Sequence, residues 1–168
     1  MSHSRIFKVE PNYEDKGLWS ISEAEYESNG FVDNIADYVD EDTDWIEDYQ
    51  WLAESYNKNG LWTVSLEGET EDENTEKMVP LAFIKIHIDK CKEWLDNRAK
   101  EVAKLISEDP KNAFDYKVKM LTGGDRSGFW FDVDGWGYMT DVEFVKYCVE
   151  NYAQDVKFRL EGTLDYHS

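Results

Sequence analysis

Residues 129–164, FWFDVDGWGYMTDVEFVKYCVENYAQDVKFRLEGTL, read as hairpin, helix and strand in succession. Phe129 to Val133 and Trp136 to Met139 flank Asp134-Gly135, a dipeptide suited to a two-residue turn whose central residues need positive φ. Thr140 followed by Glu143 forms a capping box, which predicts a helix ending near Tyr152. Val156 to Leu164 then alternates as a strand, with Val156, Phe158 and Leu160 on one face. Hairpin strands interrupted by a helix point to an α+β domain with an antiparallel sheet.

Upstream, Tyr116 to Leu121 reads as a further strand before a turn at Thr122-Gly123-Gly124-Asp125. Pro80 to Ser107 reads as a long helix, with Pro80 in its first turn and Asp109-Pro110 closing it. Its apolar residues Ile84, Ile88, Cys91, Leu95, Ala99, Val102 and Ile106 step by four and three. Ile84, Ile86 and Ile88 also alternate, which leaves a strand open as the reading of the start. Leu61 to Glu67 alternates as a strand, and the polar run Glu69 to Lys77 is expected to be a mobile loop.

Further toward the N-terminus, a helix is expected after Asp44, with Trp45, Ile46, Tyr49, Leu52, Ala53 and Tyr56 on its apolar side. It would end at Asn59-Gly60. Phe31 to Val39 is expected to be another helix, begun at Ser28-Asn29-Gly30. Leu18 to Ser22 and Arg5 to Glu10 read as strands, the latter stopped at Pro11. The whole, residues 1–168, is expected to be one α+β domain with helices packed against one side of its sheet.

Charge is distributed very unevenly. The chain carries a formal net charge of −19, yet eighteen of its 37 acids and one of its 18 bases, Lys58, lie between Gly17 and Glu76. Residues 77–168 are near neutral. Concentrated like charge repels itself and opposes compaction. Seven Trp, ten Tyr and eight Phe supply enough apolar area to offset that cost, so a folded acidic part is expected rather than a solvated tail. Cys91 and Cys148 sit among apolar neighbours and read as buried thiols. Residues 1–10 contain no apolar run of signal-peptide length, and no stretch approaches the ~18 apolar residues of a membrane span. A soluble, cytoplasmic chain is expected, repelled by free nucleic acid and by anionic membranes.

Asp33, Asp37, Glu41, Asp44 and Asp48 recur at intervals of four, four, three and four. On helices that spacing aligns carboxylates about 6 Å apart along one face. Such pairs cost a few tenths of a kcal/mol each, and no lysine is interleaved to relieve them. A row of carboxylates can imitate the phosphates of a duplex, which carries one charge per about 1.7 Å of axis. The expected partner is a basic, nucleic-acid-binding protein. The expected contact residues are Asp33, Asp37, Asp40, Glu41, Asp42, Asp44, Glu47 and Asp48, with Glu69, Glu71, Asp72 and Glu73 as a second arm. This charge composition is similar to that of phage-encoded anti-restriction and anti-CRISPR proteins that mimic DNA. The resemblance implies a non-enzymatic inhibitor, and it carries over no individual functional residue. The same face would equally suit an immunity-type protein neutralising a basic toxin.

Other constellations carry less. Asp132 to Glu143 resembles a calcium-binding EF-hand loop at Asp132, Asp134, Gly137, Thr140 and Glu143, but Trp136 occupies a ligand position and no helix precedes it. A calcium-binding interaction module is the alternative it would support. His3, His87 and His167 do not cluster with other ligands in sequence, and no phosphate-binding glycine loop is present. Trp51 falls off the apolar stripe of its helix and is a candidate exposed anchor. No catalytic residue, metal ligand or cofactor is assigned.

Overall fold

The longest strand, β7 (Val156–His167), is paired along both edges and organises the sheet. The computed structural model describes residues 3–11, 23–29, 31–41, 45–56, 60–71, 78–124, 129–133 and 136–167. Strand β1 (His3–Glu10) runs antiparallel along one edge of β7. The other edge is shared: β4 (Met78–Ile86) covers Val156–Leu160, and β2 (Tyr38–Glu41) covers Leu164–His167. Beyond β1 lie β5 (Trp130–Val133) and β6 (Gly137–Met139), and beyond β4 lies β3 (Trp62–Glu71). The seven strands make one sheet in the order β3-β4-β7-β1-β5-β6, with β2 attached to β7.

The α+β architecture expected from the sequence is present, with two refinements: short helices also cover the second face of the sheet, and one strand pair is parallel. The β1–β5 pair is parallel, so the sheet is mixed. Parallel neighbours require a long crossover, and most of the chain separates these two strands.

Each sheet face carries its own core. On one face Phe7, Val9, Ile84, Phe131 and Phe158 pack against α3 (Trp45–Trp51), α4 (Ile88–Glu108) and α6 (Asp141–Asn151). The rings of Phe131 and Phe144 stack there at 4.1 Å. On the other face Ile6, Trp130, Leu164 and Tyr166 meet Tyr26 of α1 (Glu23–Ser28) and Phe31 of the single turn α2 (Phe31–Asn34). Burying one such aromatic completely contributes about 1.5–3 kcal/mol.

The C-terminal hairpin and α6 are present where predicted, but Val133 pairs with Gly137, at φ 89°, so the connection has three residues and not two. Trp136 N–H donates to the Val133 carbonyl at 2.8 Å across the β5–β6 turn; Asp134 and Gly135 themselves lie outside the described residues. The Thr140 hydroxyl accepts the Glu143 N–H at 3.3 Å, and at 2.5 Å it contacts the Gly123 carbonyl. The alternating reading of Ile84, Ile86 and Ile88 prevails over the helical one: residues 78–86 are strand β4, and the helix begins at Ile88. The first three residues of the expected loop, Glu69 to Glu71, are instead the end of strand β3. Residues 72–77, and the expected strand at Leu18 to Ser22, lie outside the described residues.

Two expectations are overturned. Tyr116 to Leu121 is not a strand but most of α5 (Tyr116–Gly123). Asp115 caps it by accepting the Lys117 N–H at 3.1 Å, and of its apolar residues only Val118 is buried, while Tyr116 is 70% exposed. The alternation was thus coincidental. Phe31 to Val39 is not a helix either. Val32 and Asp33 leave the helical region, with Asp33 at φ 91°, and the chain turns back so that Asp33 N–H donates to the Ala36 carbonyl at 3.1 Å. Aspartate is among the few residues that tolerate positive φ. The chain then enters β2, where Val39 is buried.

Candidate acidic interaction surface

Because β2 and β1 flank the C-terminal half of β7, three residues distant in sequence come to lie side by side across the sheet. Arg5 pairs in register with Asp165, and Asp165 with Asp40. Helix α3 packs over this end of the sheet, where Tyr49 meets Phe7, and brings Asp48 down onto Arg5. The Arg5 guanidinium donates from Nε to Asp48 at 2.6 Å and from Nη1 to Asp165 at 2.7 Å. All three side chains are largely shielded from solvent, at 24%, 13% and 19% exposure. Like charges directly opposite each other in a ladder repel. Arg5 is the counter-charge that lets Asp48 and Asp165 share this site, and charge-assisted bonds of this length fix both carboxylates.

Beside the row lies a pocket of about 310 Å³ lined by Ser4, Arg5, Asp48 and Trp51. Trp51 is 38% exposed. Its ring stacks on Phe7 at 6.5 Å and stands edge-on to Phe129 at 5.6 Å, so the exposed indole rests on the core and has little freedom to lose.

The helical alignment expected for the acids is not realised. Asp33 is exposed in a turn, Asp37 is exposed ahead of β2, and Asp40 and Glu41 belong to the β2 backbone; only Glu47 and Asp48 are helical, in α3. Asp42, Asp44, Asp72 and Glu73 lie outside the described residues. What the tertiary structure brings together is Asp48 and Asp165, both on Arg5, with the Asp40 backbone in register with Asp165 and Glu47 exposed on the same helix as Asp48. Asp165 lies outside the acidic block and was missed. Its place opposite Arg5 follows from strand register, which leaves no periodic trace.

The described part of the second arm lies on the β3–β4 hairpin. β4 pairs with β7 only from Ala82 onward, and its earlier residues extend toward the part of β7 where β2 takes over. Glu69 and Glu71, opposite Pro80 and Met78, are exposed on that extension. Glu67 is paired with Lys157 at 3.0 Å.

Beneath α1 a second set of charges is buried. Tyr26 donates to Asp132 at 2.6 Å, and Lys8, in register with Asp132, pairs with Glu25 at 3.0 Å. Arg159 and Glu161 are also buried. Burial first, then the charge of Asp132, drive the Tyr26 hydroxyl far above the usual phenol range. These contacts also bear on the calcium-loop resemblance. Asp132 serves Tyr26, while Thr140 and Glu143 serve the N-terminus of α6. Among the described residues, no three His, Cys, Asp or Glu side chains are grouped to hold a metal ion.

His87 has partners invisible in sequence. Its Nε2 lies 2.7 Å from the Thr63 hydroxyl and its Nδ1 lies 3.3 Å from Asp155, which also accepts the Ile88 N–H at 3.0 Å. Asp155 therefore caps α4 from 67 residues away. Cys91 and Cys148 are both buried free thiols, as expected. No described helix is long and apolar enough to cross a membrane. Comparison with known proteins returns no matching family model, no matching curated protein and no matching solved structure.

Proposed function

We propose that this protein is an acidic, non-enzymatic inhibitor that occupies the nucleic-acid-binding site of a basic partner, in the manner of anti-restriction and anti-CRISPR proteins. The observation that carries this reading is the Asp48–Arg5–Asp165 row. One arginine holds two carboxylates in place at the end of the sheet where the Asp40 backbone pairs with Asp165, and Glu47 is exposed next to Asp48 on α3. Carboxylates held on a rigid scaffold pair with lysine and arginine without first losing side-chain freedom. Trp51 adds an exposed aromatic face on which a partner's arginine can stack.

The test is retention of host-lysate proteins on the immobilised chain at 50 mM salt, followed by a salt gradient and by competition with duplex DNA. Pairing between exposed carboxylates and a partner's cationic groups weakens steeply as salt rises and screens the charges. Retained proteins should therefore elute within the gradient and be displaced by the duplex. A variant carrying Asp37→Lys, Glu47→Lys, Glu69→Lys and Glu71→Lys, all exposed positions, should retain none of them while staying folded. Equal retention by that variant overturns the reading. Salt-sensitive retention that DNA cannot displace replaces it with neutralisation of a basic toxin.

A further inference from the structure

The longest helix extends well past the core it serves. Of the 21 residues in α4, only Ile88 and Cys91 are buried. The apolar stripe nevertheless continues through Leu95, Ala99, Val102 and Ile106, about 16 Å or three turns further. There it forms the floor of an open groove of about 460 Å³, walled by Leu121 of α5 and Val142 of α6. That volume falls within the range of about 300–1,000 Å³ typical of ligand sites.

The charges at this groove are the reverse of those on the rest of the molecule. Arg98 and Lys146 are its charged lining residues among those described, and no described carboxylate lines it. The surrounding segment, residues 88–124, has eight bases to seven acids, in a chain of net charge −19. Arg98 is preset: Nη1 donates to the carbonyls of Met120 and Leu121 at 3.4 and 3.3 Å, and the guanidinium lies 3.9 Å over the Trp94 ring. A cation already held in place loses little freedom on binding. Lys146 is 66% exposed and only loosely paired with Glu150, at 3.7 Å, so it is available to a partner.

From this geometry we infer that the groove between α4, α5 and α6 is a docking site for an amphipathic helix of a partner protein, one with acidic residues flanking its apolar stripe. An open channel lined by helices and three turns long matches apolar anchors spaced i, i+4 and i+7. The two cations select carboxylates on either side of those anchors. A second copy of this chain is the poorer occupant, because two molecules of charge −19 repel. This site is independent of the acidic surface, and either can fail alone.

The experiment is selection of a displayed library of 15-residue helical peptides on the intact protein, with the Val102→Asp variant used for counter-selection. Peptides enriched on the wild type should carry apolar residues at i, i+4 and i+7 with Asp or Glu beside them. Made synthetically and followed by fluorescence anisotropy, they should bind Val102→Asp at least tenfold more weakly. They should also bind Lys146→Glu several-fold more weakly, in a variant whose apolar floor is intact. Circular dichroism melts matching the wild type establish that both variants fold. The proposal is overturned if nothing is enriched over Val102→Asp, if enriched peptides lack acidic flanks, or if they bind both variants as well as the wild type. It is overturned equally if light scattering shows a dimer that Val102→Asp dissociates.

Discussion

Arg5 and Asp48 lie 43 residues apart in the chain and meet at 2.6 Å, with Asp165 closing the row at 2.7 Å from the same guanidinium. Arg5 thus bridges two carboxylates brought from distant parts of the chain. Replacing Arg5 by Gln leaves two poorly solvated carboxylates facing each other. The expected loss is about 1–3 kcal/mol in urea denaturation at pH 7, the usual cost of stripping a partner from a shielded charged group. Adding Asp48→Asn should recover part of it, because the two changes are coupled. Unaltered stability in Arg5→Gln would mean the row does not hold.

Gly124 ends α5 at φ +77°, and a Cβ there would clash with the Asp141 carboxylate and crowd the Thr140 hydroxyl. Gly124→Ala therefore incurs backbone strain of about 1–3 kcal/mol and pushes on the N-terminus of α6. Its melting temperature should fall, whereas Gly123→Ala, with open space at that position, should stay close to the wild type. Equal effects of the two substitutions would refute this account.

Asp155 is held below the usual carboxylate range, first by the Ile88 N–H and then by His87. A carboxyl group whose pKa is lowered by folding stabilises the protein above its unfolded value of about 3.9, and that contribution disappears as pH falls through the folded value. Asp155→Ala should melt below the wild type at pH 7, and the gap should narrow as the pH approaches 3. A gap independent of pH would assign the effect to packing instead of charge.

Burial pushes the Cys91 thiol up to about 12 and raises Cys148 as well. Thiolate is the reactive form, so neither cysteine of the native protein should react with a disulfide reagent at pH 8. Both should react in denaturant. Folded thiols that resist ionisation stabilise the native state below pH 9, and this is lost as pH rises from there toward 12. Rapid labelling of one thiol per native chain would contradict the buried placement.

Much of the fold was legible locally. The hairpin around Asp134-Gly135, the Thr140–Glu143 cap and the continuous stripe of α4 each arise from neighbours within a few residues, where period and turn chemistry decide the outcome. Phe31 to Val39 misled because its apolar spacing suits a helix, while Asp33 accepts a positive φ that turns the chain into β2. Tyr116 to Leu121 misled because six alternating residues can lie on a helix whose only buried side chain is Val118. The acidic surface was legible as composition but not as geometry. Its helical spacing dissolved, and its fixed pair includes Asp165, outside the charge block.

The chain's own order of residues determined its charge, its aromatic core and the type of most of its elements, because these depend on side-chain chemistry and short-range contacts. Only the tertiary structure decided that β7 would share one edge between β4 and β2, that Arg5 would stand between Asp48 and Asp165, and that Asp155 would cap α4. Those outcomes depend on which distant strands pair and in what register, and register is set by packing over the whole sheet.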